Sequence, residues 1–304
     1  PSAVTIISTD PDNDGDSSLS LAASNNMDAT AEADGSAVKP DGTAIGVAVA
    51  INVATLTNEA SLASDSKTNV DSVTLSATMK DVDGDTEHTT TATAISGASA
   101  GDTGVAGSFA LNVVDTTTEA ALRTGSDTAL NGGNLELTAE NISSSTVIAK
   151  ANAAAEADTD DTDTSDTSDA ASLGVGASVA LNIATNNTTL AVIEDNAVLN
   201  GEIEDVTLTA TGDHTAATAA AGGASGDGNS IGGAIAITVV DNMTEASIGT
   251  QDAPLIAGGS VSATANHHGG SSTTADSDAV GDDAAIGVSL GLAFVDDNAL
   301  ATTK

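Results

Sequence analysis

Cysteine is absent from the 304 residues, which excludes disulfides and thiol chemistry but says little about compartment. Tryptophan and tyrosine are absent too, and phenylalanine occurs only at Phe109 and Phe294. Globular cores draw much of their buried area from large rings. Any core here must therefore be thin and built from Val, Ile, Leu and Ala, which favours stacked sheets over a bulky globule. Basic residues are scarce: six face 44 acidic ones, for a formal net charge of −38. No basic surface exists to neutralise phosphates, so nucleic acid is not a partner, and an anionic membrane surface would repel the chain. The longest clean apolar run, Ala44 to Ile51, falls far short of the ~18 residues of a spanning helix, so membrane insertion is not expected. Charge of one sign opposes compaction, and divalent cations or high salt are the natural remedy.

What is present is repetition. Five segments align on one core: "IGVAVAINVATLTNEASL" from Ile45, "VAGSFALNVVDTTTEAAL" from Val105, "VGASVALNIATNNTTLAV" from Val175, "IGGAIAITVVDNMTEASI" from Ile231 and "IGVSLGLAFVDDNALATT" from Ile286. The alignment puts Asn52, Asn112, Asn182, Thr238 and Ala293 at one position. Alternation within each segment has period two, the signature of a strand. One parity is large (Ile45, Val47, Val49, Ile51) and the other small (Gly46, Ala48, Ala50). The large parity is expected to fill a core and the small one to form a smooth face that another layer can approach. A slip of one residue would exchange the two faces, so register is well specified.

Each segment is followed by "TNEASL"-like residues that bring Glu59, Glu119 and Glu245 to one position, with Thr189 and Leu300 in the other two units. A further strand comes next ("VTLSATM", "LELTAEN", "VTLTATG", "VSATANH"), then a Thr/Ala-rich stretch, with Gly/Asp/Asn turn signals between them. Two stretches resist the pattern. Ser145 to Ser172 has alanine-rich, helix-compatible residues and then an acidic low-complexity run, read as a mobile loop insertion over 156–170. Ser18 to Ala44 reads as an enlarged connection.

A unit that cannot bury its own apolar face must stack on its neighbours. The expected fold is all-β: a parallel β-solenoid (β-helix) of about five imperfect units of roughly 55–70 residues. One elongated array then spans 1–304, with a partial unit over 1–44 and units starting near 45, 105, 175, 231 and 286. Stacking would turn Asn52, Asn112 and Asn182 into a self-satisfying ladder. It would also bring Glu59 and Glu119 ~4.8 Å apart, a repulsion of about 1 kcal/mol in water, so these side chains are placed outward. The alternative is a string of tandem antiparallel β-sandwich modules, which usually need about 100 residues each. The chain begins and ends within a repeat, as expected of a piece of a longer array or of ends that complete a neighbour's unit.

Units of the form "IGGAIAITVVDNMTEASIG…LIAGGSVSATA" resemble the repeat regions of large bacterial surface proteins, the filamentous-haemagglutinin-like and leukotoxin-related adhesins. The resemblance covers the chain from about Ala44 to its end and rests on a low-complexity motif. It implies a β-helical, extracellular, non-enzymatic stalk or filament, and it brings no catalytic residues with it.

Four kinds of site are conceivable in this sequence. "DPDNDGD" sets Asp10, Asp12 and Asp14 at spacings 1, 3 and 5 of an EF-hand-like calcium loop, with Gly15 at the turn and Asp16 beyond, but Leu21 stands where the bidentate Glu belongs. "KDVDGD" repeats the half-site with Asp81, Asp83, Gly84 and Asp85, and stacked units would let both loops share one Ca2+. Without an ion, each is an Asp/Gly turn. His88, His214 and His268 fall just after the further strand; they read as exposed turn histidines, with a transition-metal site as the alternative. Catalysis lacks a motif, and no enzyme is expected. Threonines on one strand face (Thr207, Thr209, Thr211) suggest ice binding, but Glu136 and Glu140 interrupt the array in another unit. The expected function is that of an extracellular or cell-surface structural protein. It would be a segment of a filament, sheath or adhesin stalk that associates with itself into fibres and with other surface or matrix components. The alternative is a Ca2+-dependent, glycan-binding or ice-binding module on the same scaffold.

Overall fold

The computed structural model describes residues 5–7, 17–155, 172–251 and 254–304. Its strands are β1 (Thr5–Ile7), β2 (Ser18–Asn25), β3 (Asp28–Lys39), β4 (Thr43–Leu62), β5 (Lys67–Val70), β6 (Ser72–Met79), β7 (His88–Ala100), β8 (Thr103–Leu122), β9 (Asp127–Ala155), β10 (Leu173–Ile193), β11 (Val198–Gly226), β12 (Asn229–Ile248), β13 (Val261–Gly281) and β14 (Ala284–Thr303). They form two sheets. The five-stranded sheet runs β4-β8-β10-β12-β14, and the nine-stranded sheet stacks β13, β11 and β9 upon β5, β6 and β7, and those upon β1, β2 and β3. Every pairing between named strands is parallel. The fold is all-β with parallel sheets, an arrangement compatible with a β-solenoid. Antiparallel sandwich modules are not what these strands form.

The aligned repeat positions are register partners. Asn52 pairs with Asn112, Asn112 with Asn182, Asn182 with Thr238 and Thr238 with Ala293. The only slip in the five-stranded sheet is a bulge after Ala184. Corners between the sheets repeat as well. Ser66, Ser126 and Ala197 donate N–H bonds to the carbonyls of Ala63, Arg123 and Glu194, three residues earlier. The third residue of each turn has positive φ: Asp65 (62°), Gly125 (81°) and Asn196 (60°). Asp, Gly and Asn are the types that tolerate the left-handed region.

The facing of the five-stranded sheet is the reverse of the expectation. The small parity points inward: Ala48, Ala50, Ala110, Ala180, Ala234 and Ala236 are 0–3% exposed and pack on alanines of the other sheet such as Ala94 and Ala149. The large parity points out: Ile45 and Val47 are each 63% exposed and Val53 68%. The reason is the interlayer gap. A Cβ built on Gly46 would overlap the Gly97 carbonyl, and one on Gly176 the Gly223 carbonyl. Backbones this close leave room for hydrogen or methyl only, so the branched side chains go outside. Leu and Val enter the interior at the other end of the slab, where Leu75, Leu122, Leu130, Leu137, Ile193 and Leu208 form the bulkiest cluster.

Two other readings are corrected. Ser18 to Ala44 is no loose connection: β2 and β3 pair with β6 and β7. Residues 145–155 belong to strand β9 and not to a helix. The acidic insertion at 156–170 lies outside the described residues.

Candidate interaction face and buried polar seam

The outer side of the five-stranded sheet carries five consecutive outward positions on each strand, and all of them are apolar. On β4 they are Ile45, Val47, Val49, Ile51 and Val53; on β14 they are Ile286, Val288, Leu290, Leu292 and Phe294. The register aligns these with their counterparts on β8, β10 and β12, such as Val105, Val175 and Ile231. Not one of the 44 acidic residues falls on this grid. With strands ~4.8 Å apart and ~3.3 Å per residue, it covers about 24 by 30 Å, or roughly 700 Å². Contiguous apolar patches beyond a few hundred Å² mark interaction surfaces. The outward side of the other sheet is polar and acidic, with Glu136, Glu140, Asp213 and Asp276.

Between the sheets runs a polar seam. Asn52, Asn112 and Asn182 stack in register, but they do not satisfy one another as expected. Each amide reaches across the gap: Asn52 Nδ2 donates to the Ala29 carbonyl (2.8 Å), Asn112 Nδ2 to those of Thr90 (3.1 Å) and Thr146 (3.0 Å), and Asn182 Nδ2 to that of Ser145 (2.9 Å). Ser145 Oγ donates to Asn182 Oδ1 at 2.6 Å. The Asn side chains therefore tie layer to layer. A second chain runs along the stack: Asn141 Nδ2 to Thr116 Oγ1 (3.0 Å), Thr116 to Asn187 Oδ1 (2.9 Å), Asn187 Nδ2 to Asn242 Oδ1 (2.8 Å) and Asn242 Nδ2 to Asp297 Oδ1 (2.6 Å).

Two of the three histidines depart from their expected placement: His88 and His214 are buried, whereas His268 is exposed as expected. His88, Ser143 and His214 form one inward column across β7, β9 and β11, with His88 1% and His214 2% exposed. His88 Nδ1 accepts the Met27 N–H (3.0 Å), and Ser143 Oγ lies 2.8 Å from His214 Nδ1. Both Nε2 atoms are buried without a protein partner. A cavity of about 10 Å³, close to the size of one water, is lined by both rings together with Thr116, Ser143 and Asn187. Burial pushes both histidines down; for His214, with the tilted His267 ring centred 5.7 Å away, the value falls to about 4. His268 points outward with Nδ1 2.9 Å from Asp213 Oδ1. The inward neighbour of His214 is His267. Period-two parity places 267 and 268 on opposite faces, which is the signal that separates them.

Glu59 and Glu119 are neighbours, as expected, but not merely outward. Arg123, just past the end of β8, grips both. Its Nη1 donates to Glu119 (2.7 Å) and Glu194 (2.8 Å), and its Nη2 to Glu119 (2.7 Å) and Glu59 (2.9 Å). Thr124 N–H completes the clamp on Glu194 at 2.7 Å. The Arg123 and Ser61 hydrogen bonds hold the Glu59 carboxyl below its ordinary value. For Glu194, burial pushes upward but is outweighed by the Thr124 and Arg123 donors, and the carboxyl again falls below its ordinary value. The Arg123 guanidinium resists burial and is raised by the three carboxylates. Sequence reasoning missed Arg123 and Glu194. The signal was one of only six basic residues standing one repeat length from two acids.

Of the expected calcium ligands, Asp10, Asp12, Asp14 and Asp16 lie outside the described residues. Asp81, Asp83 and Asp85 form a tight turn. Val82 and Asp85 exchange backbone hydrogen bonds (2.9 and 3.0 Å), Asp83 and Gly84 have φ of 55° and 93°, and Asp81 Oδ1 accepts the Gly84 N–H at 2.7 Å. Among the described residues, no three His, Asp or Glu side chains gather as a metal-binding group. Comparison with family models, curated proteins and solved structures returned no match.

Proposed function

We propose that the chain is a parallel β-solenoid of about five 55–70-residue units that serves as an extracellular, non-catalytic structural segment. It would be part of a self-associating filament, sheath or adhesin stalk, as its resemblance to bacterial surface adhesin repeats implies. One observation carries the reading: the five long strands of one sheet repeat in register, and among the described residues β4 and β14 pair on one side only. Such an edge is a template for a further strand of the same pattern. That strand comes from another unit of a longer chain or from a second copy, and in either case the parallel ladder continues in the same register.

Electron microscopy and fibre diffraction test the reading. Long fibres with a meridional repeat of ~4.8 Å support it. Monodisperse particles one chain long, with stability that depends on a cation or glycan, would favour the binding-module alternative instead.

A further inference from the structure

We infer that two copies of the chain pair through the outer face of the five-stranded sheet, side by side, with their stacks pointing the same way. This deepens the structural reading above and rests on it only in that copies of the chain meet. Axial continuation uses strand edges, and face pairing uses side chains.

Size and charge argue for such pairing first. A face of roughly 700 Å² approaches the ~800 Å² that each partner contributes to a stable interface. Two chains of net charge −38 repel wherever carboxylates meet, and the opposite outer face bears Glu136, Glu140, Asp213 and Asp276. The apolar grid lets two copies approach without setting carboxylate against carboxylate.

Shape argues for a copy rather than a generic apolar surface. On the three central strands, one outward column is Gly107, Ala177 and Gly233, and the next is Phe109, Val179 and Ile235. A trough therefore lies beside a ridge. The trough is open: a Cβ on Gly107 would meet no atom within 4 Å, and one on Gly233 only the Gly176 carbonyl at 4.0 Å. An isologous pair needs a surface complementary to itself. A two-fold axis parallel to the stack, between these columns, lays each ridge in the partner's trough. A two-fold axis along the strands would set ridge on ridge and trough on trough, so the geometry selects parallel stacks.

Sedimentation equilibrium of the 304-residue chain at low and high salt is the test, with two outward-facing double variants whose folding is checked by circular dichroism. Wild type is expected to dimerise, more strongly at high salt because screening weakens the repulsion. Phe109→Asp with Ile235→Asp should weaken the dimer by roughly a hundredfold or more. Gly107→Leu with Gly233→Leu adds apolar surface but fills the trough. It should weaken pairing by roughly tenfold, whereas a merely sticky face would associate more tightly. Wild type that stays monomeric at about 100 μM, or floats with neutral lipid vesicles as a monomer, overturns the inference; so does a Leu variant that pairs as well as wild type. Fibres of Phe109→Asp/Ile235→Asp thinned to single width support face pairing and keep the axial reading. Dimers without any fibres support face pairing while sinking the axial reading alone.

Discussion

Arg123→Ala tests whether the acid-rich sheet end is held by one cation. Removing the guanidinium deletes four charged hydrogen bonds of 2.7–2.9 Å and leaves Glu59, Glu119 and Glu194 facing one another. At carboxylate separations of ~5–6 Å and an effective dielectric near 20, each pair repels by about 3 kcal/mol, a gross figure that water and salt reduce. The side chains are 24% (Arg123), 42% (Glu59), 11% (Glu119) and 30% (Glu194) exposed. The clamp therefore lies between exposed pairs, worth ~0.2–1 kcal/mol, and buried pairs, whose breakage costs about 3–5 kcal/mol. A loss of about 2–3 kcal/mol follows, or roughly 3–5 °C in melting temperature for a chain of this size. Glu59 and Glu194 have folded pKa values depressed below 4.5. Their contribution is full above the unfolded pKa and disappears as pH falls through the folded values. The Arg123→Ala penalty should thus be largest at pH 7 and shrink below about pH 4, while Arg123→Lys, which keeps charge but not the fork, should recover about half. Thermal melts at low salt provide the assay. The reasoning fails if Arg123→Ala melts within about 1 °C of wild type at pH 7, or if its deficit is the same at pH 3.

His214 should make stability fall on mild acidification. Its folded pKa of about 4 lies below the unfolded 6.5, so stability is present above pH 6.5 and lost as pH drops toward 4, by up to about 3 kcal/mol. His214→Gln should flatten that slope, and an imidazole NMR titration near 6.5 would remove the basis for it. Gly176→Ala should destabilise by about 1–3 kcal/mol through overlap with the Gly223 carbonyl, whereas Gly107→Ala should change stability by less than about 0.5 kcal/mol; equal melts would mean the layers can separate freely. Calcium should raise the melting temperature, and a chelator should reverse the rise, if the acidic loops hold ions; at a hundredfold excess over Kd the gain is about 2.7 kcal/mol. No change would leave Asp81–Asp85 as a turn only.

The register was legible because strand parity and the Asn52, Asn112 and Asn182 positions fix it to the residue. Which parity faces inward was not legible from hydrophobicity. The decisive quantity is the gap between two backbones, and the clue lay in pairs such as Gly46 with Gly97 and Gly176 with Gly223, on different strands. The burial of His88 and His214 was equally hidden, since their cavity is made by residues from β8, β10 and β12 that no local window includes.

Register partners here lie about one repeat apart in the chain, so joining the first two strands means closing a long loop before any pairing reward arrives. After that first closure, each later turn meets a ready-made edge. Assembly of such a chain should be slow to start and quick to extend, growing in order as residues leave the ribosome. A stopped-flow refolding trace with a lag that disappears when a preformed N-terminal half is supplied would be its kinetic signature.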